Sequence, residues 1–346
     1  MSDTNIRALA KALNLSIGTV SKALKDSYEI SAETKERVIA LAKALHYNPN
    51  PYASSLRRKK SNTIAVVIPE VADSFFSAAI KGIEEVAQIK GYHVLLYLTF
   101  EQYEKEKKIL QQCRNGRVDG ILMSVTSETI DTSHINELIA NTTDTPIPLV
   151  FFDRAMDGVN VQRVTTNDFE SSFTATQHII DAGCRNIVYL SVSKNLHINN
   201  KRIAGFKEAL FHNHLKTETH NVAHCSNDGA YNHQLMSKIF KSNKRPDGII
   251  AGVEKLIAPV YLVCQQQGIH IPSQVKVISF SNLPYAPLLN PSLTTVMQPA
   301  FEMGQKAATL LFKAIERKGN TAMDEHIILP ATLVIRNSTG MAGKKG

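Results

Sequence analysis

The chain has 346 residues, 43% of them apolar and 20% charged, and a formal net charge of +8; that length and apolar share predict two or three domains with at least one large buried core. No run of eighteen or more apolar residues occurs, and Met1 to Ser16 scatters charges instead of placing a basic start before an apolar stretch, so the sequence predicts a cytoplasmic protein that is neither exported nor membrane-spanning. Cys113, Cys184, Cys225 and Cys264 lie far apart with no C-x-x-C pair, which excludes a disulfide framework and reads as reduced, mostly buried side chains.

The positive charge is unevenly placed. Residues 1 to 60 hold eleven Lys/Arg against five Asp/Glu, a surplus of six, while the rest of the chain holds 28 against 26. Such concentration on a small module is the footprint of a polyphosphate partner, because each neutralised phosphate releases counterions. Charge alone leaves a solvated basic face as the alternative.

In chain order, Asp3-Thr4-Asn5 offers a cap before a helix over Ile6 to Leu13, whose Ile6, Leu9, Ala10 and Leu13 share one face. Asn14-Leu15 ends it, and Ser16 caps a second helix, Ile17 to Leu24, with Val20 and Leu24 inward and Ile17, Gly18, Ser21 and Lys22 outward. A third helix follows Ser31, takes Glu33 in its first turn, and is expected to bury Val38, Ile39, Ala42 and Leu45 before Tyr47-Asn48-Pro49. Three short helices in under fifty residues make a helix-turn-helix, although a protein-docking bundle has the same pattern. The next segment, Pro49 to Ser61, carries two prolines, the single apolar Leu56 and the run Arg57-Arg58-Lys59-Lys60. A lone apolar side chain among cations suits insertion between base steps while the cations hold phosphates, and a basic flexible linker is the alternative.

Beyond the hinge, strands at Thr63 to Pro69, His93 to Leu98 and Gly120 to Met123 alternate with helices at Phe75 to Lys90 and Tyr103 to Asn115, the pattern of a doubly wound parallel sheet. Pro148 to Asp153 closes a first lobe. A second series begins with a helix over Phe169 to Ala182 and strands at Asn186 to Leu190, Gly248 to Ala251 and Val275 to Phe280. The fold class expected is an all-α helix-turn-helix headpiece followed by two α/β lobes facing across a cleft, where strand carboxyl ends converge on a ligand.

Several runs resemble the lactose-repressor (LacI/GalR) family of bacterial regulators over nearly the whole chain. They are Leu15-Ser16-Ile17-Gly18-Thr19-Val20-Ser21-Lys22-Ala23-Leu24, Ser31 to Val38, Tyr47-Asn48-Pro49-Asn50, Ala53-x-x-Leu56, Arg117-Val118-Asp119-Gly120-Ile121, Arg202-x-x-Gly205-Phe206 and Pro291-Ser292-Leu293-Thr294-Thr295-Val296-x-Gln298-Pro299. The resemblance implies a headpiece over 1–48, a hinge over 49–61 and a periplasmic-binding-protein-like effector and dimerisation domain over 62–340. It implies lobes of about 62–162 plus 292–320 and 163–291 plus 321–340, with crossings near Gln162, Pro291 and Asn320. It further implies that Ser16, Ile17, Gly18, Thr19, Ser21 and Lys22 of the recognition helix, and Asn50, Tyr52, Ala53, Leu56 and Arg57 of the hinge, contact a pseudo-palindromic operator. The effector cleft would be lined by Phe75, Arg202, Val253, Glu254 and Ser281.

Three departures bear on function. Lys22 stands where many members have arginine, and a point charge lacks the planar fork that reads guanine. Gly18 offers no side chain to a base edge, which shifts specificity toward Ile17, Thr19, Ser21 and operator deformation. Ser279-Phe280-Ser281-Asn282 and Val253-Glu254 stand where sugar-binding members often have Gly-Tyr-Asp-Asp and Asn-Asp. A sugar would therefore lose charge-assisted hydrogen bonds of roughly 1.5 to 3 kcal/mol each, which leaves an atypical sugar, a phosphorylated or acidic metabolite, or another ligand altogether as the effector. The whole reads as a homodimeric, effector-controlled repressor of operator DNA with no cofactor and no catalytic residues. The alternative is a sugar-binding transport-type protein, which would lack residues 1 to 60. His212, His214, His220, His224 and Cys225 have the spacing H-x-H-x5-H-x3-H, which matches no tight zinc template, so no metal site is expected. No nucleophile elbow, phosphate loop or dinucleotide fingerprint occurs.

Overall fold

The computed structural model describes residues 5–47, 60–114, 117–140, 147–156, 158–193, 196–217, 221–317 and 325–340. The chain divides into two compact units, Met1–Ser61 and Asn62–Gly346.

In the first unit α1 (Ile6–Leu13), α2 (Ile17–Ala23) and α3 (Ala32–Ala44) each begin at a polar cap. The side chains of Asn5, Ser16 and Ser31 accept from the backbone N–H of Ala8, Thr19 and Thr34 at 3.1, 3.0 and 3.3 Å, satisfying donors that a helix start leaves free. Leu9, Ala10, Val20, Ala23, Val38 and Ala42 form the buried core, with Leu24 and Leu41 packed against it. Ile39 and Leu45 depart from the expected stripe, being 41% and 40% exposed. Three short helices enclose a core one side chain deep, so α3 buries only the narrow stripe of Val38, Leu41 and Ala42.

The second unit holds two six-stranded sheets. In the first, β1 (Thr63–Ile68), β2 (His93–Leu98), β3 (Gly120–Met123), β4 (Leu149–Phe152), β5 (Gln162–Thr166) and β11 (His326–Leu329) are all parallel, in the order β11-β5-β4-β3-β1-β2. In the second, β6 (Ile187–Ser191), β7 (Val222–His224), β8 (Gly248–Ala251), β9 (Lys276–Phe280), β10 (Thr294–Met297) and β12 (Thr332–Val334) run in the order β12-β10-β9-β8-β6-β7, with β12 antiparallel to β10. Both orders reverse beside the first strand of the lobe, and that switch point opens a crevice at the strand carboxyl ends. The lobes also repeat one device. Asp119 before β3 accepts from the Asn62 N–H at 2.9 Å, and Asp247 before β8 accepts from those of Arg185 and Asn186 at 2.8 and 2.9 Å.

Helices cover both faces of the sheets. They are α4 (Ser74–Ile89), α5 (Tyr103–Cys113), α6 (Ser133–Ala140), α7 (Asp168–Asp181), α8 (His197–His212), α9 (Gly229–Lys241), α10 (Ile257–Gln266) and α11 (Ala300–Glu316). The chain passes from the first lobe to the second between β5 and α7, returns between β10 and α11, and passes again between β11 and β12. These crossings correct the expected ones. Gln162 lies in the first sheet, Pro291 precedes a strand of the second, and Asn320 lies outside the described residues with β11 still to come in the first sheet. A parallel strand must enter at its amino end, so the passage toward a cleft shared by both sheets falls after the strand and not before it. All four cysteines are buried and unpaired.

Close backbone approach holds α4 against α11. A Cβ on Gly82 would stand 2.1 Å from the Phe301 carbonyl oxygen, and one on Gly304 would stand 2.1 Å from that of Ala79. Gly205 plays the same part between α8 and α7, 2.1 Å from the Phe169 carbonyl. Gly304→Ala is therefore expected to lower the stability of the second unit by about 1–3 kcal/mol in urea unfolding, whereas Gly18→Ala, whose Cβ meets only Ser16 Oγ at 3.6 Å, leaves that transition in place.

Candidate functional site

Two sites follow from this scaffold, one in each unit. On α2, Val20 and Ala23 are buried, and Ser16, Ile17, Gly18 and Lys22 form the exposed side with Thr19 and Ser21 half-buried. The Ser16 hydroxyl is occupied by its cap and by Thr19 Oγ1 at 2.8 Å, so Ile17 and Lys22 are the long side chains exposed on that face. The Lys22 ammonium contacts the Glu29 carboxylate across the turn that follows α2. Asn50, Tyr52, Ala53, Leu56 and Arg57 lie outside the described residues.

The second site is the cleft of the larger unit. Asp73 follows β1 and caps α4, its Oδ1 accepting from the Phe75 N–H at 2.8 Å. Glu254 follows β8 in the other lobe and reaches the same helix end, where it accepts from the Ser74 N–H at 3.1 Å and from the Ser74 hydroxyl. It also accepts from Ser281 Oγ at 2.9 Å. The exposed N–H groups and dipole of a helix start favour such a carboxylate. Lys255 pairs with Glu70 at 3.6 Å, a second link between the lobes.

At the first crossing Asp168 accepts from Arg202 Nε at 2.7 Å and from Thr166 Oγ1 at 3.0 Å. Arg202 donates a further bond to the Gly252 carbonyl at 2.8 Å and stacks over Phe280, 4.1 Å from the ring centroid. Arg154 grips both oxygens of Glu101 at 2.9 and 3.1 Å and lies 3.7 Å from Asp153. Glu101 and Asp153 both sit at φ 61, a left-handed conformation that costs strain outside glycine. Gln298, in the second crossing, reaches Asp153 and Thr166 at 3.4 Å each.

Of the expected effector residues, Arg202, Glu254 and Ser281 gather around the cleft with Val253 beside them. Phe75 is buried in the first-lobe core, edge-on to Phe76 at 5.3 Å. The Nε and one terminal nitrogen of Arg202 are committed to Asp168 and Gly252. Asp73, Asp153, Asp168 and Gln298 were missed by the sequence reading. Their signal was position, since each follows the carboxyl end of a strand, where ligands of such sheets bind. Among the described residues no His/Cys/Asp/Glu group is placed to hold a metal ion, and His220 lies outside them.

Burial dominates the electrostatics. It raises the Asp73 carboxyl to about 6, with the neighbouring Glu254 charge adding to the effect. Burial likewise raises Asp153 to about 6, against the pull of Arg154 and Arg202. Glu101 experiences burial too, but Arg154 and the Ser127 N–H outweigh it and hold the carboxyl below its ordinary range.

The sequence and the fold place this chain among known proteins. Residues 5–50 match the profile of bacterial regulatory proteins of the lacI family, and residues 176–339 match the periplasmic binding protein-like domain. The chain is 30% identical over 337 residues to the ribose operon repressor of Halalkalibacterium halodurans, covering 97% of each chain. It is 26% identical to catabolite control protein A of Priestia megaterium, covering 97% of this chain and 99% of that protein. The fold superposes on the lac repressor dimer bound to operator and an anti-inducer with a TM-score of 0.84 at 19% identity, covering 98% and 99% of the chains. A capped helix-turn-helix joined to a two-lobed binding domain defines a DNA-binding transcription regulator and not an enzyme. The chain belongs to the lacI family of bacterial regulatory proteins.

The raised carboxyls have a defined stability signature. Asp73 and Asp153 bind protons more tightly folded than unfolded, where the ordinary value is 3.8. Their contribution is fully present below about pH 4 and is lost as pH rises through about 6. Asp153→Asn, which keeps a left-handed-tolerant residue, is expected to match the parent near pH 4. At pH 7.5 it should exceed the parent by about 1–3 kcal/mol in urea unfolding.

Proposed function

We propose that the chain is a homodimeric, cytoplasmic transcription repressor that reads a pseudo-palindromic operator with α2 and an adjoining hinge, and that a small polyol-type effector in the cleft controls its affinity. The observation that carries this reading is the capped α2, with Ile17 and Lys22 exposed on its outer face, inside a sixty-residue segment with a surplus of six positive charges. Ser16, Gly18, Thr19 and Ser21 complete the reading face, and Lys22 exchanges Glu29 for a base edge or phosphate on binding. Asn50, Tyr52, Ala53 and Leu56 enter or border the minor groove, with Arg57 on a phosphate. Among the described residues no helix is long and apolar enough to cross a membrane.

Two half-sites require two headpieces held together, because one short helix reads too few bases. Ile89 at the end of α4 and Leu95 and Leu96 on the sheet-edge strand β2 are 77%, 38% and 37% exposed, an apolar edge that a second copy would cover. Leu96→Lys is expected to turn a micromolar dimer into a monomer by sedimentation and to abolish operator binding. A monomeric parent protein that still binds operator specifically would rule out the dimer reading.

Mobility shift with genomic fragments tests DNA binding, and two hinge variants separate its parts. Leu56→Ala removes the apolar wedge, so operator affinity falls at least tenfold while affinity for scrambled duplex stays near the parent value. Arg57→Ala weakens both duplexes alike and lowers the salt slope by roughly one unit. Equal losses on both duplexes for Leu56→Ala would show that Leu56 is an ordinary linker residue.

A further inference from the structure

Lys22 is the one cation of α2, and it is already paired within the headpiece. Its ammonium contacts the Glu29 carboxylate, and the two side chains stay about half exposed, at 53% and 45%. The turn that brings Glu29 there is fixed at both ends. The Ser27 N–H donates to the Lys22 carbonyl at 3.0 Å as the chain leaves α2, and Ile30 packs against the headpiece core before α3 begins. Asp26, the other carboxylate of the turn, is held at 2.7 Å by Lys35 of α3. Glu29 is thus the carboxylate that the fold sets beside the exposed side of α2.

An acid in that place works against general attraction to DNA, since it adds like charge where phosphates approach and occupies a cation that would neutralise one. It becomes favourable only where the DNA offers it a donor. In the major groove a carboxylate accepts from the N4 amine of cytosine, while O6 and N7 of the paired guanine accept from a cation. An ammonium and a carboxylate in contact with each other therefore match the edge of one G·C pair. The match also bears on the departure at Lys22. A point charge lacks the two-donor fork with which arginine reads guanine unaided, and an adjacent acceptor for the paired cytosine restores a second contact.

We propose that Glu29 is a specificity-determining residue of the headpiece. When Lys22 turns from it to guanine, the Glu29 carboxylate accepts from the N4 amine of the paired cytosine, and on other sequences it repels the DNA backbone. This inference rests on the reading of α2 as the helix that reads the operator. Opening the Lys22–Glu29 pair costs little, because both partners are exposed, whereas an unmatched carboxylate among phosphates is penalised on every duplex that lacks the donor.

The test begins with the full parent chain and a pool of duplexes randomised over both half-sites, from which repeated mobility-shift selection yields a preferred duplex. Each half-site is expected to contain a G·C pair whose change to A·T or reversal to C·G lowers affinity about tenfold or more by fluorescence anisotropy. Glu29→Ala should lose that preference and bind random duplex about threefold or more tightly than the parent. Glu29→Gln, which keeps an amide oxygen as acceptor and drops the charge, should retain the preference and share the gain on random duplex. Because Glu29 is exposed, thermal unfolding of both variants should coincide with that of the parent. A Glu29→Ala protein that keeps the parent's preference at every base pair overturns the proposal, as does a loss confined to an A·T pair. An equal loss in Glu29→Gln also overturns it, since Glu29 would then be only a charge that positions Lys22. A parent that selects no duplex overturns the DNA-binding reading and the role of Glu29 with it, whereas a selected duplex indifferent to Glu29 overturns that role and leaves the reading standing.

Discussion

The buried pair of Asp168 and Arg202 is the interaction on which the cleft depends. Asp168 stands where the chain first leaves one lobe for the other, and Arg202 ties it to the second lobe through the Gly252 carbonyl and the face of Phe280. Removing either partner would leave a charge buried and unmatched, at a cost of about 3–5 kcal/mol. The pair therefore sets the geometry of the crossing as well as the charge of the cleft. Thr166 and Gln298 extend the same network to the return crossing, and at the third passage Asn167 Oδ1 accepts from the Ala331 N–H at 2.8 Å, so polar groups hold all three passages between the lobes.

Around that fixed point Glu254 makes a bridge of a different kind. It is anchored in one lobe beside Ser281 and caps a helix of the other at Ser74, and the Lys255–Glu70 pair runs alongside it. Contacts of this sort are made in full only while the lobes are close together. A ligand that strengthens or displaces them shifts the balance between closed and open arrangements by its differential affinity for the two. The carboxylate at residue 254 thus links the chemistry of the cleft to the spacing of the lobes.

Charge is divided between the two units according to their partners. The first sixty residues hold the basic surplus, which suits phosphate neutralisation in open solvent. The cleft gathers carboxylates in a place of low water content, where each charge acts strongly on its neighbours. The almost neutral balance of residues 61 to 346 hides this, because surface lysines offset the carboxylates in a sum that ignores position.

The sequence by itself determined whatever rests on local period and local chemistry. Strands His93–Leu98, Gly120–Met123 and Gly248–Ala251 were legible to the residue from their apolar runs, and α1 to α3 from their caps at Asn5, Ser16 and Ser31. The headpiece motif around Ser16 to Leu24 was equally plain, since its function needs consecutive residues on one short helix. Tertiary structure decided the rest. The exposure of Ile39 depends on how deep a three-helix core can be, and the crossing points depend on which sheet Gln162 and Thr294 join, facts that no window of ten residues contains. The commitment of Arg202 depends on Asp168 and Gly252, 34 and 50 positions away in sequence. The cleft carboxylates come from four separated strand ends, at residues 73, 153, 168 and 254. Their shared electrostatics exists only once packing has brought them together and removed the water between them.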